Sequence, residues 1–150
     1  MIELNKEGYV LITGASSGIG YELAKLYASD GYNLILIARN IEKLKAVESE
    51  LSQYNIEIKT LSLDISKDSD IKKLINYIEI NKIIVRILIN NAGIGSFGDF
   101  KDINWENEEA LIDINIKSLT RLTKYFLPKI IGVKDGGILN VASTAAFCSG

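Results

Sequence analysis

Three unequally spaced glycines follow an apolar run near the amino terminus of the chain. They lie in the segment Thr13-Gly14-Ala15-Ser16-Ser17-Gly18-Ile19-Gly20, after the apolar residues 9–12 and at the start of a pattern typical of a helix. A strand that turns sharply into a helix points the first free N–H groups of that helix, and the positive end of its dipole, at whatever lies above the turn. A pyrophosphate suits that place, so the segment predicts a dinucleotide site.

Each glycine of this turn has its own predicted task. Gly14 can adopt a positive φ, Gly18 puts no Cβ between the backbone and a phosphate, and Gly20 lets the helix pack closely on the strand. The spacing Gly-x-x-x-Gly-x-Gly differs from the Gly-x-Gly-x-x-Gly of many dinucleotide enzymes and from the Gly-x-x-x-x-Gly-Lys of nucleotide triphosphatases. The alternative interpretation is a glycine-rich turn without a ligand. The candidate phosphate-binding residues are Gly14, Ser16, Ser17, Gly18, Ile19 and Gly20.

The same segment resembles the signature of the short-chain dehydrogenase/reductase family. A second segment, Asn90-Asn91-Ala92-Gly93, follows a predicted strand and matches the Asn-Asn-Ala-Gly of that family. Asp64, Asn115 and Ser143 match further family positions in the same order along the chain. The resemblance therefore extends from residue 13 to residue 143, essentially the whole sequence.

The resemblance implies hydride transfer between a nicotinamide cofactor and a carbonyl or alcohol substrate. It implies that Asp64 contacts the adenine ring, that Asn115 holds a water in a proton relay, and that Ser143 positions the substrate carbonyl. Considered singly, Asn115 and Ser143 could each be a satisfied structural polar group. Asp64 could instead cap the helix that begins a few residues later, a role open to Ser66 as well.

The segment 90–93 contributes further candidate cofactor-binding residues, namely Asn90, Ala92 and Gly93. Asparagine side chains can tie neighbouring strands together by bonding to their backbones, and the small Ala-Gly pair leaves room for a cofactor. An ordinary asparagine- and glycine-containing loop would look similar.

The carboxyl end of the second predicted strand bears on which nicotinamide cofactor fits. An acidic side chain there would accept hydrogen bonds from a ribose 2′-hydroxyl and repel a 2′-phosphate. Ala38 holds that place, followed by Arg39, whose guanidinium can bind a phosphate through two charge-assisted hydrogen bonds. NADP(H) is therefore favoured, although no basic residue between Ala15 and Gly18 adds a second phosphate contact, so NAD(H) stays open. The alternative for Arg39 is a solvated loop position.

The resemblance also implies a general acid/base tyrosine and a lysine four residues later that lowers its pKa. In the family this pair lies on the helix after the fifth strand, and the sequence ends at Gly150, before such a helix. Two Tyr-x-x-x-Lys matches, Tyr21 with Lys25 and Tyr125 with Lys129, fall on earlier helices and receive no catalytic role. We expect a truncated cofactor-binding portion that is inactive alone; the alternatives are a non-catalytic dinucleotide-binding module and a vestigial dimerising one.

The elements that must position these residues alternate along the chain, which is typical of an α/β, doubly wound parallel sheet of the Rossmann type. Strands are predicted at 8–13, 33–38, 56–62, 85–90 and 136–142. Helices are predicted near 18–30, 40–53, 67–81 and 105–131. Right-handed crossovers favour the strand order 3-2-1-4-5, with the ligand crevice at the carboxyl ends beside strand 1. We expect residues 1–150 to form one NAD(P)-binding domain, incomplete at its carboxyl end relative to the family.

The apolar residues of the predicted helices indicate which faces pack inward. Ile41 begins an inward stripe in the second helix, continued by Leu44, Val47 and Leu51. The helix at 105–131 shows two stripes, one with Leu111, Ile114, Leu122 and Tyr125 and the other with Ile112, Ile116, Leu119, Phe126 and Ile130. One stripe should face the sheet and the other a second copy of the chain, as in many members of the family it resembles. A helix buried on two sides within one chain is the alternative.

Composition excludes several classes of function. The net charge of −2 provides no basic field for nucleic acid or an anionic membrane. The chain has no histidine, which excludes Ser-His-Asp and Cys-His machinery and leaves no metal site predicted. The single Cys148 cannot form an internal disulfide and is interpreted as a plain small residue. The first seven residues do not resemble a signal peptide and no apolar run could span a bilayer, so we expect a cytoplasmic protein.

Overall fold

Five parallel strands form one sheet in the computed structural model, which describes residues 7–147. The predictions for the first six residues and for Cys148 lie outside the described residues. The sheet order is β3-β2-β1-β4-β5, which confirms the predicted topology. The strands are β1 (Tyr9–Thr13), β2 (Asn33–Ala38), β3 (Ile58–Ser62), β4 (Val85–Asn90) and β5 (Gly137–Asn140). β1 and β3 begin one and two residues later than predicted, and β5 is shorter by one residue at its start and by two at its end.

Helices connect the strands and cover both faces of the sheet. They are α1 (Gly18–Ser29), α2 (Ile41–Leu51), α3 (Asp68–Ile80), α4 (Trp105–Ile112) and α5 (Leu119–Ile130). Between α4 and α5 the chain stays helical but adopts π geometry over Asp113–Ser118. Within the part of the chain that the structure describes, no helix is both long and apolar enough to cross a membrane.

Successive residues of the central strand enter two separate cores. Val10 and Ile12 of β1 pack with α1 and α2, whereas Leu11 packs with α3 and α5. All three are fully buried, because side chains alternate between the faces of a strand and both faces of this sheet are covered. The continuous apolar pattern of the strand therefore indicates a sheet that helices cover on both faces, as in a doubly wound fold.

The first two helices present different faces to the sheet, and one expectation about them was wrong. The buried face of α1 consists of the small residues Gly20, Ala24 and Ala28, whose i, i+4 spacing lets the helix backbone approach the sheet. Ile41 is exposed rather than inward, although the rest of its predicted stripe is buried. It is the first residue of α2 and lies one turn before Leu44, where the helix meets the core.

The predicted stripes of the helix at 105–131 were also wrong in part. Phe126 and Ile130, placed in one predicted stripe, are buried against the sheet together with Leu122, which was placed in the other. The prediction assumed a regular α-helix, whereas the π segment inserts extra residues into the turn and changes which side chains share a face. In that segment the buried Ser118 hydroxyl donates to the Ile114 carbonyl at 2.6 Å, which satisfies a displaced backbone oxygen.

An exposed apolar row nevertheless remains on this helical run. Ile112 is 42% exposed and Ile116 is 56% exposed, and Leu127 and Ile131 continue the exposed apolar surface toward the end of the run. Leu119, also predicted on this side, is half-buried. Of the predicted stripe that begins with Ile112, only Ile112 and Ile116 are therefore exposed.

The revised helix orientation predicts very different costs for two neighbouring truncations. Phe126→Ala should lower the free energy of unfolding by about 3–5 kcal/mol, because it opens a cavity where the side chain is 0% exposed. Leu127→Ala should cost about 1 kcal/mol or less, since Leu127 is 44% exposed. Urea denaturation of both variants tests this, and similar losses for the two would contradict the assigned face.

Candidate functional site

The glycine turn after β1 comes within contact distance of the end of β4. Gly14 has φ +67°, and a Cβ placed on it would lie 2.9 Å from the Ala92 Cα. A Cβ on Gly20 would collide with the Gly14 carbonyl oxygen and the Asn91 side-chain amide. The close packing predicted for Gly20 is therefore made against the turn itself and the side chain that follows β4.

The outer part of the same turn is open. Gly18 has φ +57°, and a Cβ there would meet no atom within 4 Å. Ser17 is the N-cap of α1 but makes no capping hydrogen bond with its side chain. The first-turn N–H groups, which have no partner within a helix, thus face an accessible space suited to an anion.

A cleft of about 400 Å³ lies over the carboxyl ends of the strands. Its lining combines the turn after β1, the end of β2, the loop after β3 and the segment after β4. The predicted site residues that line it are Gly14, Ser16, Ser17, Arg39, Asp64, Ala92 and Gly93. Gly18, Ile19, Gly20, Asn90, Asn115 and Ser143 lie outside that lining.

Thr13 and Asn91, which were not among the candidate site residues, hold this region together. The buried Thr13 hydroxyl accepts the backbone N–H groups of Asn91 and Ala92, each at 3.0 Å. In return the Asn91 side-chain amide donates to the Thr13 carbonyl at 2.9 Å and to the Gly14 carbonyl at 3.2 Å. These bonds fix the glycine turn to the segment that follows β4. The signal for them in the sequence was the position of each residue at a strand end.

Asn90 points away from the cleft. Its side-chain amide donates to the Thr123 hydroxyl at 3.0 Å and to the Asn140 side-chain oxygen at 2.9 Å. It therefore ties β4 to α5 and to β5 through side chains, whereas Asn91 makes the backbone bonds that the sequence suggested for asparagines in this segment.

Asp64 does not cap α3, so that alternative was wrong, and Ser66 does not cap it either. The N-cap residue is Lys67, which makes no side-chain cap. One Asp64 carboxylate oxygen instead accepts from the Ser66 backbone N–H at 3.2 Å and from the Ser66 hydroxyl at 2.7 Å. This local turn holds the Asp64 carboxylate at the wall of the cleft.

Asn115 lies in the π segment and is hydrogen-bonded to the loop after β4. Its side-chain oxygen accepts the Ile94 N–H at 3.0 Å, and its amide donates to the Ile94 carbonyl at 2.8 Å. Ile94 and the adjacent Ile114 both line the cleft. Both polar atoms of the Asn115 side chain are therefore hydrogen-bonded, which accounts for an asparagine within a helical segment. The π segment places this side chain beside the Ile94 loop.

Ser143 lies apart from the cleft, in the exposed segment after β5. Its hydroxyl accepts the Ala145 N–H at 3.1 Å at the start of a short 3₁₀ turn, Thr144–Phe147. The structure thus brings Asp64, Arg39 and the glycine turn to one cleft, but not Ser143.

Arg39 and Lys43 both line the cleft where β2 leads into α2. The Ser62 hydroxyl donates to the Arg39 carbonyl at 2.8 Å, and the Asn40 side chain caps α2 by accepting the Lys43 N–H at 2.9 Å. The sequence analysis did not select Lys43, although its position one helical turn beyond Arg39 was a usable signal.

The two Tyr-x-x-x-Lys matches form surface clusters between helices. Burial and a hydrogen bond to Glu79 raise the pKa of Tyr125, and a hydrogen bond to Glu50 followed by partial desolvation raises the pKa of Tyr21. A tyrosine that acts as a base near neutral pH needs the opposite shift. Neither cluster contributes to the cleft. Between residues 7 and 147, no three His, Cys, Asp or Glu side chains gather as metal ligands would.

Comparison with known proteins places the chain among dehydrogenases. Residues 8–150 match the family model described as short chain dehydrogenase. The uncharacterized oxidoreductase YvrD of Bacillus subtilis (strain 168) is 36% identical over 141 residues, which are 93% of this chain and 52% of that protein. The chain spans about half the length of the curated relatives it matches.

Two solved structures share the fold at comparable coverage. The bulky-bulky ketone specific alcohol dehydrogenase from Comamonas testosteroni gives a TM-score of 0.87 at 30% identity over 95% of this chain and 57% of that one. A short-chain dehydrogenase from Sphingobium yanoikuyae in complex with NADPH gives a TM-score of 0.86 at 34% identity, over 93% of this chain and 55% of that one.

The bonds of Thr13 predict a difference between two conservative substitutions. Thr13→Val keeps the shape but removes the acceptor of two N–H groups, and should lower the free energy of unfolding by about 1–3 kcal/mol. Thr13→Ser keeps the hydroxyl and should cost about 1 kcal/mol through the lost methyl group. Urea denaturation measures both, and a larger loss for serine than for valine would show that the hydroxyl does not hold the turn.

Proposed function

The chain belongs to the short-chain dehydrogenase family, and from that membership we propose that it binds NADP(H) in preference to NAD(H) in the cleft over its strand ends. The observation that carries the preference is Arg39, a cation at the end of β2 that lines the cleft where an NAD(H) site would place a carboxylate. The NADPH complex of the Sphingobium yanoikuyae relative supports it.

The residues of the cleft fit such a cofactor. The open space at Gly18 and the uncapped first turn of α1 offer N–H groups to a pyrophosphate. Asp64 borders the cleft near the end of β3, where it would contact an adenine ring. Ala92 and Gly93 present little side chain on the opposite wall and leave room for the nicotinamide half.

The reaction of the whole protein is hydride transfer with a carbonyl or alcohol substrate, for which the bound nicotinamide ring supplies or accepts the hydride. In this proposal Asn115 holds the Ile94 loop beside the cleft and, with a bound water, forms part of a proton relay. Ser143 orients the substrate oxygen, and its exposed position leaves the hydroxyl accessible to a substrate. The present chain accounts for the cofactor-binding portion of that enzyme.

A second copy of the chain is the proposed partner for the exposed apolar row of α4 and α5. Ile112 and Ile116 are large, apolar and exposed at helical spacing, which is unfavourable in water unless another surface covers them. A two-fold axis beside this row would let the same residues meet in both copies.

Cofactor selection is tested by calorimetric titration of the 150-residue chain with NADPH and with NADH. We expect NADPH to bind about 10- to 100-fold more tightly, since the 2′-phosphate adds charge-assisted hydrogen bonds. Arg39→Ala should remove most of that difference and leave NADH binding nearly unchanged. Arg121→Ala, which changes the same charge on α5, is the control. No heat with either cofactor would favour a vestigial module that binds no nucleotide.

Self-association is tested by light scattering on the chain eluting from a gel-filtration column. Ile116→Asp should convert a dimer to a monomer, because it places a charge in the proposed apolar contact. Leu26→Asp makes the same change at an exposed leucine of α1 and should leave the dimer intact. A monomer before any substitution, or equal effects of both variants, would contradict the proposed interface.

A further inference from the structure

Two cations border the same end of the cleft, and the backbone of each is held in place. Arg39 directly follows β2, and Lys43 lies in the first turn of α2. The Ser62 hydroxyl anchors the Arg39 carbonyl, and the Asn40 cap anchors the Lys43 N–H. The backbone atoms that carry these two side chains are therefore fixed, and both side chains line the same cleft.

Neither side chain has a counter-ion among residues 7–147. Several lysines elsewhere in this range form ion pairs with carboxylates, such as Lys73 with Asp70 at 2.8 Å. Arg39 and Lys43 make no ion pair and no side-chain hydrogen bond within the described part of the chain. The carboxylate in the cleft lining, Asp64, is bonded to Ser66 and lies 3.9 Å from Lys67. This end of the cleft thus carries two uncompensated positive charges, which an incoming anion would neutralise.

We propose that Lys43 is a second specificity-determining residue, which binds the ribose 2′-phosphate of the cofactor together with Arg39. A phosphate monoester carries a charge between about −1.5 and −2 at neutral pH and three acceptor oxygens. Arginine offers a planar pair of donors, and lysine a compact charge with three donors, so one phosphate can accept from both. The inference rests on the proposed cofactor preference and adds the second basic contact that the glycine turn does not supply.

The experiment compares four ligands by titration calorimetry on the 150-residue chain. NADPH and NADH differ by the 2′-phosphate, as do the fragments adenosine 2′,5′-bisphosphate and adenosine 5′-monophosphate. Lys43→Met removes the charge but keeps a long side chain, and should weaken binding of both 2′-phosphorylated ligands about tenfold. It should change NADH and adenosine 5′-monophosphate by less than about twofold. Lys43→Arg should retain most of the affinity.

Lys45→Met is the matched control, since Lys45 is exposed on the same helix, carries the same charge and does not line the cleft. An effect of Lys43→Met no larger than that of Lys45→Met, or an equal loss for ligands with and without the 2′-phosphate, would overturn the role of Lys43 alone. Equal binding of NADPH and NADH by the unaltered chain would overturn the proposed cofactor preference, and the role of Lys43 with it.

Discussion

Thr13 and Asn91 join β1 to the chain that leaves β4, at the point where the sheet changes its direction of winding. Beyond this point the backbone segments that follow β1 and β4 diverge. The segment after β1 leads to α1 on one face of the sheet, and the segment after β4 leads to α5 on the other. The regular ladder must therefore end, which would leave the N–H groups of residues 91 and 92 and the carbonyls of residues 13 and 14 unpaired. The hydroxyl and the amide satisfy all four groups. The crevice can open here because the two side chains bond the backbone groups that the ladder leaves unpaired.

This clamp also explains why the turn between β1 and α1 needs small residues. The Asn91 amide occupies the space beside Gly14 and Gly20, so a Cβ on either glycine would compete with it. Ala24 and Ala28 continue the same narrow face along α1. With α1 held this close to the sheet, its N-cap Ser17 lines the cleft, and the free N–H groups of the first turn beside it add to the field of Arg39 and Lys43.

Residue patterns predicted the sheet order and the strand ends that border the cleft, because both follow from local signals. Apolar runs alternating with helical spacing imply parallel strands, and right-handed crossovers leave few possible orders. The π segment after Ile112 has no comparable signal, and the apolar faces beyond it were misassigned for that reason. Thr13 and Asn91 were missed because their hydrogen bonds join residues that are distant in sequence. The capping alternative for Asp64 was wrong because α3 begins only after Lys67, and the Asp64 carboxylate bonds to Ser66 instead.

The π segment links the exposed apolar row to the cleft. Ile114 lines the cleft and Asn115 grips Ile94, whereas Ile116 lies on the exposed side of the same few residues. A π turn is less stable than an α turn and persists where surrounding contacts hold it. Contacts on the cleft side come from Asn115, and a second copy packed on Ile112 and Ile116 would supply them on the other. Dimer formation and the placement of the Ile94 loop would then stabilise the same segment. The two would be coupled, so that dimer formation favours the ordered position of the Ile94 loop and the ordered loop favours the dimer.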